Sequence, residues 1–234
     1  MKKTFFALTM VVVVAFTAAV GLCLRALNGA SAVAAVDAGL KIVIDAGHGG
    51  IDGGVVGKKT GIRESDVNLD IAYELKDVLE NMGFSVTMTR KTQAGLYDTT
   101  AKGFKRRDME KRKEIIQAAA PDFVVSIHQN FYPSSVSRGA QAFFMQGDEK
   151  SQRLAELVQS KMNNLYARDK AKPRKAMRGD FFILRCYDCP SVLLECGFLS
   201  NAADETLLSA KPWQKKCAQS VAAALTEFLT GITA

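Results

Sequence analysis

Three short apolar runs in this chain end in the same way, and that shared ending constrains the fold more than any other feature. Ile42-Val43-Ile44 breaks at Asp45 into a glycine-dense loop carrying His48, the run Phe123–Ile127 is followed by His128, and the run Ser191–Leu194 is followed by Glu195. Short continuous apolar runs of this kind read as strands buried on both faces, as in parallel sheets covered by helices. In open α/β sheets, ligands bind beyond the carboxyl ends of the strands. Three side chains able to carry metal or protons, each at a strand end, are more than hydrophobic patterning requires. The glycines of Lys41–Gly54 accept backbone conformations that other residues resist, and they let a ligand come close.

The segments between the runs read as helices and further strands. Ser65–Met82 places Val67, Ile71, Leu75, Val78, Leu79 and Met82 on one helical face, with Gly83 as its stop. Phe84–Thr89 alternates as a strand, so strand, helix and strand follow within about 50 residues, the mark of a crossover unit. Arg106–Ala119 reads as a helix ended by Pro121, Ala140–Met145 as a strand, and Lys150–Tyr166 as a helix with Leu154, Leu157, Val158, Met162 and Leu165 inward. Arg168–Arg178 reads as a basic loop. Asn201 caps a short helix through Leu208, helped by Asp204, and Lys215–Leu229 forms a last amphipathic helix. The expected architecture over residues 41–234 is a single α/β domain, a twisted, mostly parallel mixed sheet flanked by helices on both faces.

The N-terminus reads differently. Lys2 and Lys3 precede Thr4–Leu24, a run of 21 residues without a charge, and Arg25 follows. Such a run is long enough to span a bilayer, and its basic start predicts an exported remainder. Residues 1–25 are expected to be a signal peptide or a membrane anchor, and residues 26–40, rich in Ala, Gly and Ser, a tether. Ala30-Ser31-Ala32 and Ala32-Val33-Ala34 fit small-residue cleavage sites. The protein is therefore expected outside the cytoplasm, membrane-anchored or secreted. The formal net charge is +7, and three of those charges are Lys2, Lys3 and Arg25, leaving +4. That balance is too mild for a nucleic-acid partner and suits an anionic wall or membrane surface. Two basic runs, Lys102–Lys113 and Arg168–Arg178, read as solvated faces; were they to meet at the site, they would attract acidic groups. Aromatic residues are not interleaved with them as a single-strand nucleic-acid groove needs. Five cysteines make no disulfide framework in a chain this size. Cys186 and Cys189 have the spacing of a redox or metal pair, but without a second pair they read as packing residues or free thiols.

A hydrolytic zinc site takes three protein ligands and keeps a position for water, and two histidines with one carboxylate are a common set. His48 and His128 are the only histidines. Glu64, just before the strongest helix, offers a carboxylate on a rigid element. A second acid near the metal would accept a proton from the attacking water and pass it on, and Glu195 is the candidate. Taken singly, each residue has an ordinary reading: a histidine in a loop, an acid favouring the positive end of a helix, a salt-bridge partner. Asp45 and Asp52 read as turn residues or supports of the ligands. The combination carries the inference.

Ile44-Asp45-Ala46-Gly47-His48-Gly49-Gly50, Glu64, Ser126-Ile127-His128-Gln129-Asn130 and Leu194-Glu195-Cys196-Gly197-Phe198-Leu199-Ser200-Asn201 resemble, in order, the signature blocks of zinc-dependent N-acetylmuramoyl-L-alanine amidases. The resemblance implies zinc (Zn2+) held by His48, Glu64 and His128, with Glu195 as catalytic acid/base. It also implies hydrolysis of the amide between the lactyl group of N-acetylmuramic acid and the L-alanine of the stem peptide. Asn130 and Arg112 fall near positions that look substrate-facing in such enzymes. The segment Ala101-Lys102-Gly103-Phe104-Lys105-Arg106-Arg107 resembles that of the family's spore-cortex members. Those members strip stem peptides so that a partner deacetylase can lead to muramic-δ-lactam, a mark needed for germination. The implied partners are peptidoglycan, a sporulation protein or deacetylase, and the membrane through the N-terminal segment; the implied place of action extends to the space between the forespore membranes. The competing readings are a zinc peptidase or deacetylase of the wall, and a catalytically silent wall-binding protein. The chain departs from the family pattern at Gln129 and at Cys196, and strand alternation points Cys196 away from Glu195.

Overall fold

The computed structural model describes residues 39–231. The anchor or signal peptide expected over 1–25, and all but the end of the tether expected over 26–40, lie outside the described residues. Among the described residues no helix is long and apolar enough to cross a membrane.

Six strands, β1 (Lys41–Ala46), β2 (Ser85–Met88), β3 (Phe123–Asn130), β4 (Gln141–Phe144), β5 (Met177–Arg178) and β6 (Ser191–Phe198), form one sheet in the order β2-β1-β3-β6-β4-β5. All neighbours pair in parallel except β4 and β6, which are antiparallel. Five helices cover the sheet: α1 (Glu64–Asn81), α2 (Phe104–Ala119), α3 (Glu149–Ala167), α4 (Ala202–Leu208) and α5 (Lys211–Thr230). A 3-10 turn, Phe182–Arg185, joins them. The expected single domain with a mixed, mostly parallel sheet and helices on both faces is what forms.

Alternation along the strands divides the interior in two. Ile42, Ile44, Phe123, Val125, Ile127, Val192, Leu194 and Cys196 pack into a large core with Leu75 of α1, Val158 of α3 and Val221 of α5. Val43, Val124 and Leu193 face the other way and meet Ile116 of α2 with Ile183 and Leu184 of the 3-10 turn. Burying one such aliphatic side chain contributes roughly 1.5–3 kcal/mol, so the larger core carries most of the stability.

Several boundaries differ from the expectation. β3 runs on to Asn130 and β6 to Phe198, so His128 and Glu195 lie inside paired strands, directly opposite each other. Backbone pairing does not require apolar side chains, and the ladder continues past the point where hydrophobicity stops. α1 begins at Glu64 itself, α2 at Phe104 and α5 at Lys211 with Pro212 in its first turn, a position where the missing proline N–H costs nothing. The last two residues of the expected basic loop form β5. Asn201 caps α4 by accepting from the Ala203 and Asp204 amides. The Asp204 carboxylate does not assist that cap; it accepts from the amides of Gly139 and Phe198 and from Arg138.

Candidate metal centre and catalytic cleft

His48 stands two residues beyond β1 in a left-handed backbone conformation, φ 60°. This unusual geometry for a non-glycine residue turns its ring back toward the strand ends. Its Nε2 lies 3.3 Å from Glu64 Oε1, and His128 Nδ1 lies 2.9 Å from the same oxygen. One ligand atom from each of the three residues falls within 4.8 Å of the others, so His48, Glu64 and His128 form a group able to hold a metal ion. The set is two neutral-capable nitrogens and one anionic oxygen, a combination that suits zinc. Glu64 is only 3% exposed. Burial by itself raises its pKa, but the hydrogen bonds and charges of His128 and His48 outweigh that and hold the carboxyl well below the usual range. Its other oxygen accepts from the Val55 amide, which fixes the carboxylate. His48 Nδ1 lies 3.2 Å from Asp52 Oδ2, and Asp52 Oδ1 lies 3.1 Å from Lys105 Nζ. Asp52 thus orients the ring of His48 from behind.

The glycines serve the protein's own side chains. A Cβ on Gly47 would stand 2.2 Å from the His128 ring, and one on Gly54 2.4 Å from Glu64 Oε2. The absence of side chains at Gly47 and Gly54 lets His48, Glu64 and His128 converge from three elements.

Two buried arginines hold the loop in place. Arg112 of α2, 1% exposed, donates to Asp45 Oδ1 at 2.6 Å, Asp108 Oδ2 at 2.6 Å, Ala46 O at 2.8 Å and His48 O at 2.6 Å. Arg90 donates to the carbonyls of Ala46, Gly47, Ser65 and Thr92. Asp45 also accepts from the hydroxyls of Ser126 and Thr89. Burial raises the Asp45 pKa, but Arg112 and these partners outweigh it and bring it down to about 2. Arg112, expected to face substrate, therefore lies beneath the loop with most of its N–H groups spent on protein acceptors. Arg90 and the Asp45 network carry no sequence signal beyond a charge placed in or beside a buried strand, and Asn68 none beyond a polar residue on the inward side of a helix. Asn68 donates to Gly47 O and Glu64 Oε1, and Gln129 donates to Asn68 Oδ1. The departure at Gln129 thus joins the support of Glu64.

The connection from His48 to Glu64 is pinned from the far end of the chain. The Glu205 carboxylate on α4 accepts from the Lys59 and Thr60 amides and from the Thr60 hydroxyl.

Glu195 faces His128 across the β3–β6 pair. Its Oε2 is buried without a hydrogen-bond partner. Burial pushes its pKa up to about 7; His128 and His48 oppose that and Glu64 adds to it. The two glutamates of the cleft are thus driven apart, one toward permanent ionisation and one toward the middle of the physiological range, the pattern of a ligand beside an acid/base. Both line a cavity of about 470 Å³, together with His48, His128, Asn130 and Lys105. Asn130 sits past a register shift in β3, and its Oδ1 accepts from the Phe131 amide. Cys196 points into the large core, away from Glu195. The two basic runs do not meet here: Lys105 and Arg112 line the cavity, and no residue of 168–178 does. Cys186 and Cys189 are free thiols, and burial pushes both pKa values up to about 11, as suits packing residues.

Comparisons with known proteins agree with this fold. The family model described as N-acetylmuramoyl-L-alanine amidase matches residues 42–227. The germination-specific N-acetylmuramoyl-L-alanine amidase of Bacillus subtilis is 33% identical over 193 residues, 81% of this chain and 79% of that protein. Among solved structures, the CwlD amidase of Clostridioides difficile, determined in complex with the GerS lipoprotein, superposes with a TM-score of 0.78 at 33% identity, covering 82% of this chain and all of that one. The catalytic domain of CwlV, an N-acetylmuramoyl-L-alanine amidase from Bacillus (Paenibacillus) polymyxa, gives a TM-score of 0.71 at 29% identity over 82% of this chain. From its first strand to its last helix, the chain belongs to the N-acetylmuramoyl-L-alanine amidase family.

Proposed function

We propose that the protein is a zinc-dependent amidase that cleaves the bond between the lactyl group of N-acetylmuramic acid and the L-alanine of the stem peptide, in maturation of the spore cortex. Family membership carries the amidase reaction on peptidoglycan. The convergence of His48, Glu64 and His128 beside the unpartnered Glu195 oxygen supports the finer reading. In it, His48, Glu64 and His128 hold the ion. Zinc bound there supplies Lewis acidity and makes a water easier to deprotonate near neutral pH. Glu195 takes the proton of the attacking water as the carbon–oxygen bond forms. It then gives that proton to the alanine nitrogen as the carbon–nitrogen bond breaks, leaving a lactyl carboxylate and a free amine. Asp52 holds the His48 ring, and Arg112 and Arg90 hold the carbonyls of its loop, so Arg112 acts in this reading at least as a positioning residue at the cavity wall. Asn130, which lines the same cavity, meets the substrate in this reading.

The cortex assignment and a sporulation lipoprotein partner rest on the two sporulation-type relatives, one of them solved with a lipoprotein. Residues 1–25 act in this reading as the export segment, and the work is done outside the cytoplasm. The test is mass spectrometry of muropeptides digested by the purified protein, with its zinc content measured alongside. Released stem peptides with acetyl groups intact, at one zinc per chain, are the expected result. Cleavage within the peptide, or release of acetate, overturns the assignment in favour of a peptidase or deacetylase.

A further inference from the structure

The cleft has two chemically different ends, set by the order of strands beneath it. Inward from the edge strand β2 comes β1, with His48, Asp52 and Lys105 above its end; then β3 with His128, then β6 with Glu195, then β4. Three strand spacings separate β1 from β4, about 14 Å. At the β1 end the most exposed group is cationic: the Lys105 side chain is 66% exposed, paired with Asp52 and flanked by the cavity-lining Tyr97 and Phe104. At the β4 end it is aromatic. Phe181 lines the cavity, remains 36% exposed, and packs edge-on against Phe143 of β4 at 5.2 Å between ring centres. Its position is set in advance: a Cβ on Gly179 would stand 2.4 Å from the Phe181 ring, so the ring folds back over a residue that has no side chain to obstruct it. A large apolar ring held rigidly, yet left over a third exposed beside a hydrolytic centre, is a platform without an occupant in the protein itself.

Resting on the amidase reading, we infer that Phe181 is the platform for the muramoyl sugar ring, and that the substrate lies across the cleft with its sugar over β4 and its stem peptide running toward Lys105 over β1. The chemistry of the substrate has the same polarity. A pyranose presents a face of C–H bonds that packs on an aromatic ring, whereas the stem peptide carries carboxylates that a lysine attracts. Topology agrees as well. The glycan continues past the cleaved unit in both directions and needs an open surface, and the β4 side ends at the two-residue edge strand β5. The scissile amide then falls between the two ends, where the three ligands and Glu195 stand.

The test compares two substrates that share the scissile amide, an N-acetylmuramoyl-L-alanyl peptide and the same peptide acylated with lactate alone. The wild-type protein is expected to prefer the first. Phe181→Leu, which keeps apolar bulk against Phe143, lowers the ratio of kcat/KM values roughly tenfold through KM, the scale of one aromatic contact, while Phe181→Trp keeps or raises it. In a second arm, amidating the stem-peptide carboxylate costs the wild type affinity, and Lys105→Gln abolishes that difference without altering the sugar preference. A sugar ratio unchanged in both Phe181 variants overturns the inference while leaving the amidase reading intact, and so does a sugar ratio that falls in Lys105→Gln instead. A wild-type protein that cleaves neither substrate overturns both.

Discussion

On β3, Phe123, Val125 and Ile127 point into the core beneath α1, α3 and α5, whereas Val124, Ser126 and His128 point toward α2 and the 3-10 turn. The two faces share one backbone ladder and diverge in chemistry after a single apolar residue. The first is apolar along its length and closes with the buried amide of Gln129. The second passes from Val124 to a hydroxyl bonded to Asp45, then to an imidazole beside Glu64. The same gradient recurs on β6, where Leu193 gives way to Glu195, and on β1, where Val43 gives way to Asp45. One face is built to be stable, and the other uses that stability to hold charges where water would otherwise reach them.

The comparison breaks most severely at the centre of the second face. Glu195→Gln is expected to lower kcat by about 10²–10⁴ while zinc content stays at one per chain, whereas His48→Ala or Glu64→Ala loses the metal. Full turnover in Glu195→Gln would remove it from the chemistry. Next in size is Arg112→Met, which strands Asp45 and Asp108 without their shared cation and costs roughly 3–5 kcal/mol in urea unfolding. A neutral result there would mean that the loop is held by Arg90 alone. On the first face, Ile42→Ala costs roughly 2–5 kcal/mol but should leave zinc content and kcat untouched at temperatures where the variant is folded; altered metal content would show that the faces are not separable.

Proton linkage sharpens the contrast within the second face. Asp45 has its pKa lowered to about 2, so the stability it contributes is present above the ordinary carboxylate range and is lost as pH falls from about 4 to about 2. Glu195 behaves oppositely. With a folded pKa of about 7 against 4.5 when exposed, the native state keeps a proton that the unfolded chain releases. Metal-free protein should therefore lose up to about 3 kcal/mol between pH 4.5 and 7 relative to Glu195→Gln. Parallel stability profiles for the two proteins would show that Glu195 ionises freely. The smallest effect is expected at Asp52→Ala, which leaves His48 in place but unsupported and weakens zinc binding roughly 10–100-fold in competition with a chelator.

His48, His128 and Glu195 were legible in the sequence because each follows an apolar run that ends where the sheet opens, and because two histidines leave little choice. Glu64 was legible from the helix it begins. The ends of β3 and β6 were not, since a ladder can continue through polar residues that hydrophobicity reads as loop. Arg112 was expected on the substrate side from its place in the family resemblance, which carries no information about what it is paired with. What buries it is Asp45, 67 positions away, a pairing fixed by how α2 crosses β1 rather than by any local pattern. The 3-10 turn and Phe181 were missed for a related reason: the segment has no periodicity, and its geometry depends on Gly179 yielding space to a ring two residues later.

The grip of Glu205 on Lys59 and Thr60 has a consequence for motion. The stretch between His48 and Glu64 lies beside the cleft and has the length of a lid, yet the carboxylate that pins it comes from a helix whose Leu208 is part of the large core. Opening that stretch means releasing α4 or stripping both amides at once. Amide hydrogen exchange at Lys59 and Thr60 should therefore track the unfolding of the C-terminal helices rather than a fast local fluctuation. Two of the three residues of the candidate metal group are thus clamped from the last quarter of the chain, and a nascent chain that has not yet released α4 from the ribosome would have those side chains in hand but not the frame that sets their spacing.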